Sequence, residues 1–529
     1  MHLMPRLALP ALAMLLATVA DAATFVVTRL DDPVADACVP GDCSLREAVA
    51  AANLAAGADT ISLPAGTLSF DGGEIAVSDD VTIQGTGLAM TTLHNTLPVL
   101  LHVEAGTLVF SDATIDGPPI ELRTPSALRI DADVSGSLPL AIAGDADAGI
   151  RLRRAQLPLT AGMVLLAGGS DSSLEVTDSL VDVLQFSAGD GEVTIAGSTL
   201  SLLSIGSGDV NLDLRRSRVR GDTEPPVGGG IGMQTTGVVR IADTEFDGAL
   251  QGILVQGSAP ALLDIQRIDV HGDSGPLYVL TPATLTLADS TFRDNTPGFG
   301  RPGAVHLSLG AQATIRGCTF SNNKGDGDTG GALLLAAGAA AAITNSTFSN
   351  NSFTVSAAGL GARGAAIGVL GTVGTTSLRL EHVTIVAPSF MPDGIEGSAI
   401  GVRAAPGDYD IEVRNTLLRG TCRFQGVGGG LDVAVGNIES PGDGCGLDAA
   451  NNRVDVPIAD LALGALADNG GRTRTHLPGQ GSAALGAAEA TACLVDDQRG
   501  YERPLADGCD VGAVERDGID VIFADGFES

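Results

Sequence analysis

A six-residue unit recurs along the middle of the chain, opened by an aliphatic residue and closed by Phe or another aliphatic. It reads LRRAQL (152–157), VTDSLV (176–181), IAGSTL (195–200), LRRSRV (214–219), IADTEF (241–246), IQRIDV (265–270), LADSTF (287–292), IRGCTF (315–320) and ITNSTF (343–348). Weaker copies stand at Ile83–Leu88, FSDATI (110–115), LEHVTI (380–385) and VRNTLL (413–418). Apolar and polar residues alternate within each unit, as a half-buried strand requires. Gly, Asn and Asp follow and supply turns. The closing residues recur about every 24 positions, and no helical period fills the interval. A coil of that length cannot bury its own inner face, so the pattern predicts an all-β parallel β-helix with coils stacked at about 4.8 Å. Asn295, Asn323 and Asn351 each lie three residues after the Phe of their coil. Stacking would superpose them as a ladder of amides hydrogen-bonded along the axis.

Composition narrows the picture. Gly accounts for 71 of 529 residues, Trp is absent and aromatics are 3%. The core must therefore be narrow and built from Val, Leu, Ile and Ala. The net charge is −33, which repels phosphate backbones, so neither nucleic acid nor an anionic membrane is expected as a partner.

The N-terminus reads as a secretory signal peptide. Arg6 precedes the apolar run Leu7–Ala20, and Ala20-Asp21-Ala22 fits an A-x-A cleavage site, giving a mature start at Ala23. No later segment is long enough to span a bilayer as a helix. Export makes disulfides plausible, and proximity suggests Cys38–Cys43, Cys422–Cys445 and Cys493–Cys509, with Cys318 left over. Spacing cannot prove that connectivity. Zinc is disfavoured, because the spacings are wide and no His lies at finger-like distance.

Three segments resemble known families. The units with Phe-x-x-Asn and Gly-Gly-Ala over about 285–400, with Gly303, Gly331, Gly364 and Gly397, are similar to the repeats of polymorphic outer-membrane proteins. CSLREAVAAAN (43–53) followed by GADTISLPAG (57–66) resembles the CSLREA segment that begins many secreted bacterial β-helix proteins. LGALADNGGRTRTHLPGQGSAALGAA (463–488), CLVDDQRGYERP (493–504) and CDVGAVE (509–515) resemble the choice-of-anchor module that ends many of them, although Gly486 stands where that family often has Asp. The resemblance implies a right-handed helix and export to the surface of a Gram-negative bacterium or beyond it. Read from the residues alone, Ser44 and Glu47 form an S-x-x-E capping box. They open a helix over Leu45–Ala56 with Gly57 after its end, and this helix would shield the first coil's strand edge. Arg46 and Glu47 are read as structural.

The expected organisation is a signal peptide (1–22), an N-terminal cap (23–70), a β-helix (71–425), a C-terminal module (426–516) and a tail (517–529) ending in IFADGFES.

Candidate chemistry is sparse. Lys324 is the single lysine, whereas Arg215, Arg216, Arg218 and Arg220 cluster, with Arg153 and Arg154 earlier. Outward arginines could align into a stripe for an acidic glycan. Paired carboxylates could hydrolyse one, and Arg216, Asp243 and Asp269 are the candidate catalytic residues. No Ser–His or Cys–His triad spacing is present. No cofactor is expected, although GDGDTGG (325–331) could hold Ca²⁺ through Asp326 and Asp328 where Asp and Gly otherwise make turns. The leading expectation is a non-enzymatic, adhesin-like or structural surface protein, with a polysaccharide or cell-surface glycan as partner. The alternative is a lyase or glycoside hydrolase working on the lateral face.

Overall fold

The computed structural model describes residues 22–34, 36–69, 72–87, 90–94, 101–116, 120–122, 126–131, 141–144, 147–156, 163–167, 169, 172–187, 189–221, 229–272, 275–296, 301–326, 330–354, 364–388, 398–405, 407–425, 429–447, 451–503 and 508–516. Most of the expected signal peptide, the tail and Asp328 lie outside them.

Parallel pairing links 39 strands into one continuous wall wrapped around a single axis. A typical coil runs over three faces, A, B and C in chain order, with one short strand on each; in some coils a single longer strand, such as Thr199–Gly208 or Ala340–Ser349, spans two faces. Face A includes Val210–Arg215, Val238–Ala242, Leu262–Gln266 and Thr284–Ala288, paired in register. Face B includes Arg218–Arg220, Glu245–Asp247, Asp269–His271, Thr291–Arg293 and Thr319–Ser321. Face C includes Gly230–Thr235, Gly252–Gln256 and Leu277–Leu280.

Alternation decides which side chains enter the axis. Leu212, Val239, Leu263 and Leu285 register above one another, as do Leu214, Ile241, Ile265 and Leu287, and all are buried. The closing residues of the repeat become an inner column on face B. There Phe292, Phe320 and Phe348 stack at centroid separations of 5.4 and 4.6 Å. The Asn ladder forms beside them. Asn295 Nδ2 donates to Asn323 Oδ1, and Asn323 Nδ2 to Asn351 Oδ1, both at 3.0 Å. Gly303 and Gly331 are required by close approach: a Cβ on Gly331 would meet the Ala365 carbonyl oxygen at 1.8 Å.

The stack begins with Thr24–Val26, which pairs with Asp59–Ser62, and continues to Val433–Val435 and Ile438–Ser440. Short strands at the ends lack the full six-residue signature. The capping box forms as read, with Ser44 N–H donating to Glu47 Oε2 at 2.7 Å. The helix stops at Ala52, before Gly57, where Asn53 ties itself to the strand Ile75–Val77 and the residue after it. Its amide donates to Ala76 O at 2.8 Å and its oxygen accepts from Ser78 N–H at 2.9 Å. Arg46 forms a two-point pair with Asp32, both contacts at 2.8 Å.

Cys38–Cys43, Cys422–Cys445 and Cys493–Cys509 are joined as disulfides, and Cys318 is free and buried. Among the described residues, no helix is long and apolar enough to cross a membrane.

Candidate functional site

The corner between faces A and B is a single residue in the left-handed conformation. Arg216, Asp243, Arg267, Asp289, Asn345, His382 and Asn415 take that place in successive or nearby coils, with φ between 44° and 52°. Asn, Asp and His are enriched in this region among non-glycine residues, whereas Arg seldom occupies it. The next residue points inward and is usually hydroxylated. Ser217, Ser290 and Ser346 each donate to the carbonyl two residues back at 2.7–2.8 Å. Cys318 holds the same place, donating to Arg316 O at 3.3 Å, and burial pushes its thiol up to about 12. It is an inert packing group.

This corner brings Arg216 and Asp243 into one file along the outer edge. Asp243 does not face a second carboxylate. Arg267, one coil on, grips it at 2.6 and 2.8 Å. That guanidinium, with Arg472 and Arg216 behind it, holds the Asp243 carboxyl below the usual range. Asp269 lies on face B and is gripped likewise by Arg293, at 3.1 and 2.9 Å. The arginines do not form an uninterrupted basic stripe. Arg215 pairs with Asp213, and Arg218 with Glu245 and Asp247. One contact was not anticipated: His271 Nε2 lies 2.9 Å from Glu245 Oε1 on the same open face.

Asp326 accepts from Thr354 Oγ1 at 2.6 Å. Among the described residues, one group of His, Cys, Asp or Glu is close enough to share an ion, and it lies elsewhere: His382 with Cys493 and Cys509. Those cysteines are already joined to each other.

Sequence reading also missed where the C-terminal segment goes. It folds back along face B of the later coils, and its conspicuous runs are the contacts. Thr473 donates to Gly317 O at 2.8 Å, His476 Nε2 meets Ser349 Oγ at 2.9 Å, and Thr347 donates to Gln498 Oε1 at 2.6 Å. Gln498 Nε2 lies within 3.0 Å of the Thr319 hydroxyl and 3.2 Å of Cys318 O. Ala513 N–H donates to Thr384 Oγ1 at 2.8 Å. Within the segment, the Arg503–Glu515 pair closes at 2.8 Å with both side chains buried. Burial pushes His382 down to about 3 and lowers His476, so both imidazoles are neutral where the segment meets the stack.

The hairpin of Leu463–Ala467 and Thr475–Pro478 overhangs face B and leaves a cleft of about 520 Å³. Asp269, Arg293 and Asp294 line one side, and Asp468, Arg472 and Arg474 the other. Thr291, Thr319 and Ser321 form part of the same lining, which includes neither Arg216 nor Asp243. The walls are therefore rich in hydrogen-bonding groups of both charges.

A family model of the right-handed β-helix region matches residues 229–403. The fold is a right-handed parallel β-helix. Among solved structures, the chain is similar to the A-module of mannuronan C-5 epimerase AlgE6 from Azotobacter vinelandii. The identity is 14% over 68% of this chain and 94% of that one, with a TM-score of 0.27. No curated protein matches the chain.

Proposed function

We propose that this is an exported surface or extracellular β-helix protein that binds a glycan in the cleft between face B and the overhanging hairpin, without turning it over. The carrying observation is that the two carboxylates singled out as catalytic candidates, Asp269 in the cleft and Asp243 on the neighbouring corner, are both engaged by arginine. Asp243 and Asp269 are each held at two points by an arginine of the next coil. Arg267 holds the Asp243 carboxyl below the usual range, which makes it a poor proton donor. The polar walls remain suited to hydroxyl-rich ligands. Three disulfides fit an oxidising compartment. The resemblance of residues 43–53 and 463–515 to segments of exported β-helix proteins supports the same location, and surface presentation on a Gram-negative cell is part of the proposal.

The test is a panel of neutral and acidic polysaccharides, with and without Ca²⁺, scored for retention, new reducing ends and the ultraviolet absorbance of unsaturated products. Retention without turnover, weakened by R474A, supports binding. Absence of retention across the panel removes the glycan reading and leaves a passive coat role.

A second reading rests on His271. With Glu245 at Nε2 orienting the ring, Nδ1, 3.6 Å from Asp247 Oδ1, is the nitrogen that could serve as a general base on face B. Turnover that H271A abolishes while leaving retention intact would establish this enzyme in place of the binding protein.

A further inference from the structure

The first inward position of face A is apolar in the coils following the first full one: Val81, Leu108 and Leu128 register above one another there and are buried. The residue in register before Val81 is Asp59, whose side chain enters the axis with 1% of the residue exposed. A carboxylate in an aliphatic column is costly unless something compensates its charge. Its Oδ1 accepts from the Ala23 backbone nitrogen at 2.7 Å. Its Oδ2 is buried and has no hydrogen-bond partner among the described residues. No arginine, lysine or histidine is paired with it among the described ion pairs. Ala23 itself is fixed, because its carbonyl accepts from Thr60 N–H at 2.9 Å and Thr24 registers with Thr60. Ala22, just before it, is exposed.

We infer that Asp59 is the receptor for the α-ammonium group created when the chain is cut between Ala22 and Ala23. As an amide, the Ala23 nitrogen has one hydrogen to offer, and the geometry uses it on Oδ1. Hydrolysis of the Ala22–Ala23 bond consumes one water. It leaves a carboxylate on Ala22 and an ammonium with three hydrogens on Ala23. The added hydrogens can reach the unpartnered Oδ2, and the positive charge answers the buried carboxylate. The A-x-A pattern of residues 20–22 and the orphaned oxygen of Asp59 are independent observations that converge on one nitrogen. The consequence is a fold completed by processing: the first coil acquires its ion pair only after the leader is gone, so the precursor is less stable than the mature chain. The inference rests on export with removal of residues 1–22 and concerns the first coil, not the cleft.

The test begins with N-terminal sequencing of the secreted protein. Ala23 is expected as its first residue, and any other start overturns the inference. Chains beginning at Ala23 and at Ala22 are then compared by urea unfolding. The Ala23 chain is expected to be favoured at least about tenfold in folding equilibrium constant, the scale of a buried charge-assisted contact. D59V supplies the background, since an aliphatic residue holds this place in the following coils. In D59V the one-residue difference in start should change the constant less than twofold. An advantage for the Ala23 start that survives in D59V, or no advantage in the native sequence, overturns the pairing even when the cleavage site is right.

Discussion

Face B is built twice from the same strand geometry with different outward residues. In the coils from 218 to 293 the outward places hold Arg218, Arg220, Glu245, Asp247, Asp269, His271, Thr291 and Arg293. Most of the charged ones pair with one another, and all stay at least partly exposed; the Asp269 side chain is 42% accessible. From 319 onward the same places hold Thr319, Ser321, Thr347, Ser349, Thr384, Val386 and Leu417, all buried, until the half-buried Arg419 near the end of the stack. The inner columns continue through both stretches unchanged. The stack itself therefore does not need the outward residues to differ. What differs is the cover: solvent or the open cleft over the first stretch, the closely packed C-terminal segment over the second. Long charged side chains suit water, whereas short hydroxyls let a second backbone approach and share hydrogen bonds with it.

The sharpest way to break the comparison is to loosen the cover alone. Arg503 is fully buried, pairs with Glu515, and donates to the carbonyls of Asp510 and Gly512 at 3.0 and 2.9 Å. R503A leaves buried carboxylates without their cation and should cost about 3–5 kcal/mol. Residues 453–516 should become protease-sensitive while the coils up to 293 stay protected. A single unfolding transition at the native midpoint would show that cover and stack are not separable.

Acidity probes the covered end from both directions. His382 is held neutral, with its ordinary value near 6.5 pushed to about 3 by burial. The unfolded chain takes up that proton first, so stability is lost as pH falls from about 6.5 toward 3, by up to roughly 4–5 kcal/mol. H382N should flatten this acid limb, because Asn345 and Asn415 show that Asn suits the same left-handed corner. Glu439 acts oppositely. It registers with Leu418 at the end of the inner column, and burial raises its carboxyl to about 7. The folded chain keeps this proton longer, so stability falls as pH rises from about 4.5 through 7, by about 2–3 kcal/mol. E439Q should remove that slope, measured by urea midpoints across the range.

The cover's individual contacts are weaker. T347V keeps shape but deletes the hydroxyl that donates to Gln498 at 2.6 Å. It should cost about 1–2 kcal/mol, including the unsatisfied amide oxygen left behind. The loss should be read in the protease sensitivity of the cover, with the open coils unaffected.

How much of this was legible follows from what each signal measures. The coil period, the Phe column and the ladder of Asn295, Asn323 and Asn351 were readable because each repeats at the same place in its unit. The left-handed corner was not, since Arg216, Asp243, Arg267 and Asp289 share a backbone conformation without sharing a residue type. The ends were obscured because Thr24–Val26 and Ile438–Ser440 are three-residue strands without the repeat signature. The folded-back cover joins residues some 150 positions apart, such as Thr347 and Gln498. A faint trace of it was present: Thr319, Thr347 and Thr384 stand in register places that Arg218, Glu245 and Asp269 fill earlier, a change that alternation alone records merely as polar.

The smallest expected effect is also the one that separates the two kinds of face most directly. Asp269 is paired at two points with Arg293, but both side chains are more than a third accessible. Water and salt screen such a pair, and holding two flexible side chains together costs entropy. D269N should therefore change folding stability by no more than about 1 kcal/mol, and raising the salt should shrink even that difference. Because Asp269 and Arg293 both line the cleft, the same substitution should alter glycan retention more than it alters stability. Urea unfolding of D269N at low and high salt, run beside the retention assay, tests both halves. A loss comparable to that of R503A would mean that the open face is held as tightly as the covered one, and the contrast in outward residues would then need a cause other than the cover.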